Sequence, residues 1–353
     1  MLARGFHDCV VGATRMSPFE QLRGVFVRAV LHTRYGPPDV LQFMEVDKPA
    51  PKDNEVLIKI HATTVSSGDC NQRNFTFVSK SMLPIAKLVF GIGKPWKRRI
   101  LGTELAGEVE RTGKGVKRFK AGDRVVASTG MAGGGHAQYA CLPENGALAI
   151  KPASLNWEEA VAIPFGANTA LYFLRDLGKI QAGQELLIIG ASGSIGTAAV
   201  QLAKHFGATV TGVCSGANVE MVKSLGVDKV IDYTKEDFTK NGQTYDLIFD
   251  IVGATTFDRC QNSLKPNGVF LACIMGLNDV VRILWTSIGA GKKIKGGVAM
   301  ENLERITFIA ELAKAGKLKP VIDRRYLLEQ IADAFKHVEQ GHKKGTVVIT
   351  VAH

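Results

Sequence analysis

Apolar residues follow two different spacings along this chain, and the change between them divides it. From Arg28 to about Ile150, short apolar or alternating segments are separated by glycine turns; examples are Val56–Ala62, Gly107–Arg111 and Arg124–Ala127. Short strands with frequent glycine turns are typical of a barrel-like or sandwich domain. The pattern therefore predicts a β-rich domain over residues 28–150.

Buried strands alternate with amphipathic helices from about Glu185 onward. Leu186–Ile189 is a continuous apolar run, as expected of a strand covered on both faces, and Ile195–Phe206 places its apolar residues on one helical face. A further helix and four further strands are predicted at Val219–Leu225, Val210–Cys214, Lys229–Ile231, Leu247–Val252 and Val269–Cys273. Such alternation forms a parallel sheet through right-handed crossovers, so an α/β, doubly wound domain is predicted over residues 151–290.

Three stretches stand outside these two patterns. Residues 1–27 are arginine-rich and poor in acids; we predict a disordered extension, with a targeting peptide as the alternative. Phe75–Arg99 is partly apolar and predicts an inserted helix or lid near a cleft. Residues 291–353 contain two helical patterns and the strand Val347–Val351, and on pattern alone they either extend the second domain or return to the first.

A glycine turn lies between the first buried strand and its helix. It reads Gly190, Ala191, Ser192, Gly193, Ser194, Ile195 and Gly196. Glycine permits a tight turn and lets the backbone approach a pyrophosphate, and the start of the following helix offers free N–H groups to that anion. Because strand, turn, helix and second strand occur in order, the whole turn is predicted to bind a dinucleotide.

The residues at the end of the second strand of this unit indicate whether NAD or NADP binds. An NAD site usually carries an acidic residue there, for the ribose 2′-hydroxyl, but no Asp or Glu occurs between Gly190 and Glu220. Ser215 and Asn218 offer hydrogen-bond donors for a 2′-phosphate instead, and Lys343 or Lys344 offers charge. The predicted cofactor is therefore NADP(H).

Composition and charge argue against several classes of protein. The chain has 353 residues and a net charge of +11, but its basic residues are scattered and form no nucleic-acid-binding motif. Its six cysteines form no CxxC pair, which argues against a disulfide framework or metal site and favours a reducing, cytoplasmic compartment. No apolar run reaches the roughly 20 residues of a membrane span. We therefore expect neither nucleic acid nor a membrane as partner.

Several segments resemble the medium-chain dehydrogenase/reductases, most closely the zinc-free quinone oxidoreductase branch that includes zeta-crystallin-like proteins. They are Tyr35–Pro38, Asn54–Lys59, Gly122–Val125, Gly190–Gly196 and Val230–Tyr233 with Glu236–Phe238. The resemblance covers Arg28 to Val351. It implies a GroES-like catalytic domain, a Rossmann nucleotide-binding domain with the cofactor in the cleft between them, and a C-terminal segment that returns to the catalytic domain.

The resemblance also implies a homodimer and several cofactor contacts. Thr169 would approach the nicotinamide and Tyr233 the adenosine phosphate. Val252 and Lys344 are assigned to the cofactor site as well. Many relatives carry Gly-Lys before the last strand, whereas this chain has Lys344-Gly345-Thr346.

Zinc ligands are missing at the positions where metal-dependent relatives carry them. Ser66 replaces a cysteine, Thr103 replaces the histidine before Glu104, and Phe165-Gly166 stands near the third position. These side chains cannot supply the Cys, His or acidic ligands of a catalytic zinc. We therefore predict no metal site, and an architectural role for Glu104 in the cleft wall.

The missing metal points to a reaction class. Oxidising an unactivated alcohol needs a Lewis acid or a strong base, whereas an electron-poor acceptor takes hydride more easily. We predict NADPH-dependent reduction of quinones or α,β-unsaturated carbonyls, with Ser66, Asp69 and Arg73 as catalytic residues that polarise the acceptor. Two alternatives stay open: a metal-free carbonyl or alcohol dehydrogenase, and a non-catalytic NADPH-binding sensor or structural protein.

Overall fold

The structure is a computed structural model that describes residues 26–76, 94–95 and 100–353. Residues 1–25 of the predicted extension and most of the predicted lid lie outside these ranges, whereas Phe26 and Val27, predicted to be disordered, begin the first strand. The strands are β1 Phe26–His32, β2 Leu41–Asp47, β3 Glu55–Val65, β4 Glu104–Thr112, β5 Arg124–Ser128, β6 Tyr139–Pro143, β7 Leu148–Ile150, β8 Glu185–Ile189, β9 Thr209–Cys214, β10 Lys229–Asp232, β11 Tyr245–Asp250, β12 Leu264–Ala272, β13 Lys293–Gly296, β14 Ile322–Leu327 and β15 Thr346–Thr350. The α-helices are α1 Ser67–Asn74, α2 Trp157–Val161, α3 Pro164–Leu171, α4 Ser194–His205, α5 Val219–Ser224, α6 Leu277–Ile288, α7 Leu303–Lys314 and α8 Ile331–Glu339.

The first domain is built on a largely antiparallel sheet. Within the described ranges its strands are ordered β14-β15-β3-β4-β5-β7, and β6 also pairs with β3. β3 is almost wholly buried because it lies in the middle of this sheet, and β1 and β2 form a separate antiparallel pair. This is the β-rich, GroES-like part of the predicted fold class, which is confirmed.

The second domain contains a parallel sheet ordered β10-β9-β8-β11-β12-β13. β8 connects through α4 to β9 on one side, whereas β11 pairs with β8 on its other side. The strand order therefore reverses between β8 and β11. In doubly wound sheets a crevice opens at the carboxyl ends of the strands where the order reverses, and nucleotides bind there. The structure thus places the glycine turn after β8 at this crevice.

The C-terminal segment belongs to both domains. β14 and β15 pair with each other, and β15 pairs antiparallel with β3 of the first sheet. However, β13 pairs with β12 at the edge of the parallel sheet, so that sheet continues past the predicted boundary at residue 290. The short lysine-rich sequence Lys293–Gly296 has no apolar run that would have indicated a strand. No helix in the described ranges is long and apolar enough to cross a bilayer.

Candidate active site

The glycine turn leaves the start of α4 open. Gly193 is the N-cap residue, and no side chain caps the helix. Gly190 has φ +87°, a left-handed conformation that glycine adopts without strain. A Cβ built on Gly193 would meet Gly190 O at 3.7 Å, and apart from its two chain neighbours no side chain of the described residues packs against this position. The uncapped N–H groups and this open approach fit a pyrophosphate.

Three of the predicted cofactor residues form one hydrogen-bonded group beside this turn. Asn218 Nδ2 donates to Ser192 Oγ at 3.1 Å and to Ser215 Oγ at 3.2 Å. Asn218 is 4% exposed, and its Oδ1 is buried without a hydrogen-bond partner. A buried amide oxygen without a partner is costly, so this site fits a ligand that brings a hydroxyl donor, as a ribose does.

An acidic residue on the neighbouring strand was missed by the sequence argument. Asp232 ends β10, and its Oδ1 accepts hydrogen bonds from Thr234 N and Thr234 Oγ1 at 3.1 and 2.7 Å. Its Oδ2 lies 2.6 Å from where a Cβ on Gly216 would stand. The hydrogen bond from the Thr234 hydroxyl, above all, lowers the pKa of this carboxyl. A carboxylate therefore does face the loop after β9, although none lies on β9 itself.

The last strand is attached to the glycine turn. Gly345 N donates to Ser192 O at 2.8 Å, and Gly193 and Gly345 form a parallel β-bridge. Ser194 Oγ lies 2.8 Å from Thr346 Oγ1. Lys344, predicted to bind the cofactor, is exposed and directly precedes Gly345, and its contact with the cofactor stays a prediction.

The other predicted cofactor residues lie on three elements. Thr169 is buried on α3, and Tyr233 is 54% exposed directly after β10. Val252 is 52% exposed in the loop that follows β11. That loop is held by Asp250, which the sequence argument missed: its carboxylate accepts the N–H groups of Val252, Gly253, Ala254 and Thr255 at 2.9–3.3 Å. Burial nonetheless raises the pKa of Asp250.

Ser66 and Asp69, two of the predicted catalytic residues, cap α1 together. Ser66 Oγ donates to Asp69 Oδ2 at 2.6 Å, Ser66 N donates to the same oxygen, and Asp69 N donates to Ser66 Oγ. Asp69 is fully buried, and its other oxygen accepts Gly102 N at 3.0 Å. Thr103 Oγ1 lies 3.4 Å from both Ser66 Oγ and Asp69 Oδ2. Asp69 thus holds Ser66 in place, and a direct role for either in catalysis stays a prediction.

Arg73, the third predicted catalytic residue, belongs to α1, and its side chain contacts α8. Its side chain is fully buried, pairs with Glu339 and donates to Asn74 Oδ1 at 2.9 Å. Its guanidinium carbon lies 5.0 Å from the centre of the Phe335 ring. Its Nε and Nη1 have no hydrogen-bond partner. These contacts join the C-terminal helix to the first domain, and a catalytic role for Arg73 also stays a prediction.

Glu104 connects the first domain to α3. Thr64 Oγ1 donates to its Oε1 at 2.6 Å, and Phe165 N donates to its Oε2 at 2.8 Å. The side chain is 1% exposed, and burial is the main reason that its pKa is raised to about 8. The two hydrogen bonds hold α3 against the first domain, in agreement with the predicted architectural role of Glu104.

The three positions compared with zinc ligands do lie close together. Besides the Ser66–Thr103 contact, the Phe165 ring lies 3.7 Å from where a Cβ on Gly68 would stand. Within the part of the chain that the structure describes, no group of three His, Cys, Asp or Glu residues could hold a metal ion. His136 Nε2 donates to Thr64 O at 2.8 Å, and His61 stacks on Trp157, so both are engaged elsewhere.

Comparisons with known proteins agree with this architecture. Residues 52–152 match the alcohol dehydrogenase GroES-like domain, and residues 225–349 match the family described as zinc-binding dehydrogenase. The mouse mitochondrial NAD(P)H oxidoreductase RTN4IP1 is 32% identical over 93% of this chain and 90% of its own length. A 2-methylene-furan-3-one reductase from Solanum lycopersicum is 32% identical over 92% of this chain and 79% of its own. The solved quinone oxidoreductase of Coxiella burnetii superposes with a TM-score of 0.80 at 26% identity, over 93% of this chain and all of that one.

Proposed function

The chain is an oxidoreductase of the medium-chain dehydrogenase/reductase superfamily, in its quinone oxidoreductase branch, and we propose that it transfers hydride from NADPH to a quinone or an α,β-unsaturated carbonyl without a metal ion. The observation that carries the proposal is the uncapped start of α4 at the crevice between β8 and β11. A nicotinamide cofactor bound there supplies the hydride, and the protein orients it and polarises the acceptor.

Side chains at the carboxyl ends of β11, β12 and β13 favour an apolar acceptor. Val252, Ile274, Val298 and Met300 follow the carboxyl ends of three adjacent strands, and each is more than half exposed. Ile274 lies 3.4 Å from where a Cβ on Gly253 would stand, so the loops after β11 and β12 touch. Exposed apolar surface at a ligand crevice suits a flat, weakly polar ring.

Ser66 and Thr103 supply the hydroxyl groups proposed to face the acceptor oxygen. Charge that develops on this oxygen during hydride transfer is stabilised by hydrogen-bond donors already in position. Asp69 keeps the Ser66 hydroxyl in one orientation, and we propose that this hydroxyl releases Asp69 to donate to the acceptor. Hydroxyl groups at these positions, rather than zinc ligands, support the metal-independent reaction.

A preference for NADPH over NADH is the finer part of the proposal. Ser215 supports it, because its hydroxyl accepts from Asn218 Nδ2 and so can donate to a 2′-phosphate after β9, where an acid would repel that phosphate. Asn218, predicted as a second donor, acts only through Ser215, since its Nδ2 is already shared between Ser192 and Ser215 and its free Oδ1 is an acceptor. The negative charge of Asp232 opposes binding of a 2′-phosphate, although its Oδ1 already accepts a hydrogen bond from Thr234 Oγ1.

A homodimer and a cytoplasmic location are further parts of the proposal. Among the described strands, β13 is one of the two edge strands of the parallel sheet, and an edge without a partner strand favours pairing with a second copy. The mouse relative is named as mitochondrial, so the compartment stays a prediction from the cysteine content.

The test measures NADPH consumption at 340 nm against a panel of quinones, enones, simple aldehydes and ketones, with the metal content of the same sample. We expect turnover of quinones or enones in metal-free protein. Turnover restricted to simple carbonyl compounds would favour the dehydrogenase alternative, and NADPH binding without any turnover would favour the non-catalytic one. A requirement for stoichiometric zinc would overturn the metal-independent mechanism.

Ser66→Ala, compared with Ser67→Ala, tests the polarising hydroxyl. Ser67 is exposed on the next position of the chain, so its loss should leave kcat unchanged. Removing one donor to a developing oxyanion lowers kcat by about tenfold or more. Thermal unfolding of both variants shows whether a lower kcat comes only from a protein destabilised by loss of the α1 cap. Equal kcat values for Ser66→Ala and Ser67→Ala would show that the Ser66 hydroxyl has no part in the mechanism.

A further inference from the structure

Lys343 is connected to the glycine turn by hydrogen bonds through Gly345. Its Nζ donates to Gly345 O at 2.7 Å, and Gly345 N donates in turn to Ser192 O at 2.8 Å. Because Gly193 and Gly345 are bridged, the Lys343 segment runs beside the turn that starts α4. The ammonium is therefore held close to the place proposed for the pyrophosphate.

Acidic groups surround this ammonium without pairing with it. Glu104 of β4, Asp323 of β14 and the Cys70 thiol of α1 all act on it electrostatically. Asp323 Oδ2 lies 2.6 Å from His337 Nε2 of α8, and Glu104 accepts from Thr64 and Phe165. Among the described residues, Lys343 forms no ion pair within 4.0 Å, and an ammonium has three N–H donors. Donors thus remain for a ligand.

Burial weakens the charge of both Lys343 and Glu104. The Lys343 residue is partly exposed, yet burial of its ammonium is the largest influence and lowers its pKa to about 8. Burial likewise raises the pKa of Glu104 to about 8. The free protein at slightly alkaline pH therefore holds a mixture of charged and neutral lysine at this position.

We propose that Lys343 contacts the pyrophosphate of the bound nucleotide, and that binding transfers a proton from solvent to its amine. The inference rests on the nucleotide site of the proposed function. A dianionic ligand favours the charged form of a nearby lysine, so the amine that was neutral before binding takes up a proton, and no bond to the ligand forms or breaks. Lys344 is exposed and directly follows Lys343, so it serves as the matched comparison.

Calorimetric titration of the full-length protein with NADP⁺ measures this proton directly. The heat of binding at pH 8 is compared in two buffers that differ in ionisation enthalpy, which gives the number of protons taken up. A phosphate monoester has its second pKa near 6, so the ligand itself does not titrate at pH 8. We expect wild-type protein to take up roughly half a proton, because a group with a pKa of about 8 is half protonated there.

Substitutions then identify the group. Lys343→Arg keeps a permanent charge and should bind with nearly unchanged affinity but take up no proton. Lys343→Met should take up no proton and bind about tenfold more weakly at pH 7, through loss of a charge-assisted contact. Lys344→Met should retain the proton uptake, and so should Lys314→Met, which changes an unrelated, exposed lysine at the end of α7.

Three results would overturn the inference. The first is equal proton uptake in Lys343→Met and wild type, and the second is loss of the uptake in Glu104→Gln while Lys343→Met retains it. The third is binding by wild-type protein without any proton uptake, which leaves the proposed function standing. Wild-type protein that bound no NADP⁺ at all would reject the proposed nucleotide site itself, and Lys343 with it.

Discussion

Ser215 stands directly after β9, where dinucleotide folds distinguish NADP from NAD. We predict that Ser215→Asp shifts the preference from NADPH toward NADH by about tenfold or more in kcat/KM. The new carboxylate would repel the 2′-phosphate of NADPH and accept a hydrogen bond from the 2′-hydroxyl of NADH. Kinetics with both cofactors measure this, with Ser154→Asp as a charge-matched control on an exposed turn. Unchanged selectivity would mean that the 2′-phosphate is not held at Ser215, and attention would move to Asp232.

Glu104 gives the folded protein a defined dependence on pH. Its pKa is raised in the folded state, so between its ordinary value and about pH 8 the folded protein holds a proton that the unfolded chain has released. This contribution to stability is therefore present at low pH and is lost as the pH rises.

Glu104→Gln should remove that dependence. The amide can still accept from Phe165 N and donate to Thr64 Oγ1, so the architecture is kept. Relative to wild type, the free energy of unfolding of the variant should rise by about 1–3 kcal/mol between pH 5 and pH 8. Urea denaturation at the two pH values measures it, with exposed Glu311→Gln as control. Parallel pH profiles of variant and wild type would show that Glu104 does not titrate in this range.

At the scale of elements, two glycines in the turn between β8 and α4 serve different purposes. Gly196 allows close packing within the turn, and Gly193 leaves room for a ligand. A Cβ on Gly196 would overlap Gly190 O and stand 2.7 Å from Ala191 Cα, whereas a Cβ on Gly193 would have Gly190 O at 3.7 Å as its nearest neighbour. Gly196→Ala should therefore destabilise the fold by about 1–3 kcal/mol through overpacking. Gly193→Ala should change stability by less than about 0.5 kcal/mol but weaken NADPH binding about tenfold, since its methyl group occupies the approach to the helix start.

Urea denaturation and NADPH fluorescence titration of the two variants measure these effects. A stable Gly196→Ala protein would show that the turn can relax away from Ala191. A Gly193→Ala protein that bound NADPH normally would place the pyrophosphate elsewhere.

Elements with a strong apolar period were predictable, and those without one were not. The runs of β8, β9 and β11 and the face of α4 all form as the spacing predicts. β13 was missed because two lysines interrupt its four residues. The resemblance, rather than periodicity, indicated that the C-terminal segment returns to the first domain, because pairing between β15 and β3 depends on residues far apart in the chain.

The site was predictable only where its residues are consecutive. Gly190–Gly196 is one segment, so its chemistry can be recognised from the sequence. The enclosure of Lys343 near Glu104 and the approach of Asp232 to Gly216 depend on how separate strands pack. Ser66 and Asp69 were recognised as polar cleft residues, but their reciprocal capping of α1 also meets a structural need.

At the scale of the whole molecule, α6 carries an exposed apolar face next to the edge strand β13. Val281, Leu284, Trp285 and Ile288 lie on it, and the last two are 79% and 91% exposed. Thr286 Oγ1 accepts a hydrogen bond from Ile294 N, which ties the helix to the edge strand. A second copy that paired along β13 would cover this face as well.

Trp285→Glu should therefore shift a homodimer toward monomer, because it buries a charge in the contact between copies. Sedimentation velocity at several concentrations measures the change, with Met44→Glu on β2 as the control for an exposed apolar residue of the other domain. A wild-type monomer at all concentrations would reject the dimer. A variant that stayed dimeric would place the contact away from α6.

We propose, above all, that the crevice between β8 and β11 holds a nicotinamide nucleotide at the start of α4. Equilibrium dialysis of purified protein against NADPH tests it most directly, because it needs neither an acceptor nor turnover. We predict saturation at one NADPH per chain. Protein that retained no nicotinamide nucleotide at concentrations up to the millimolar range would contradict the account.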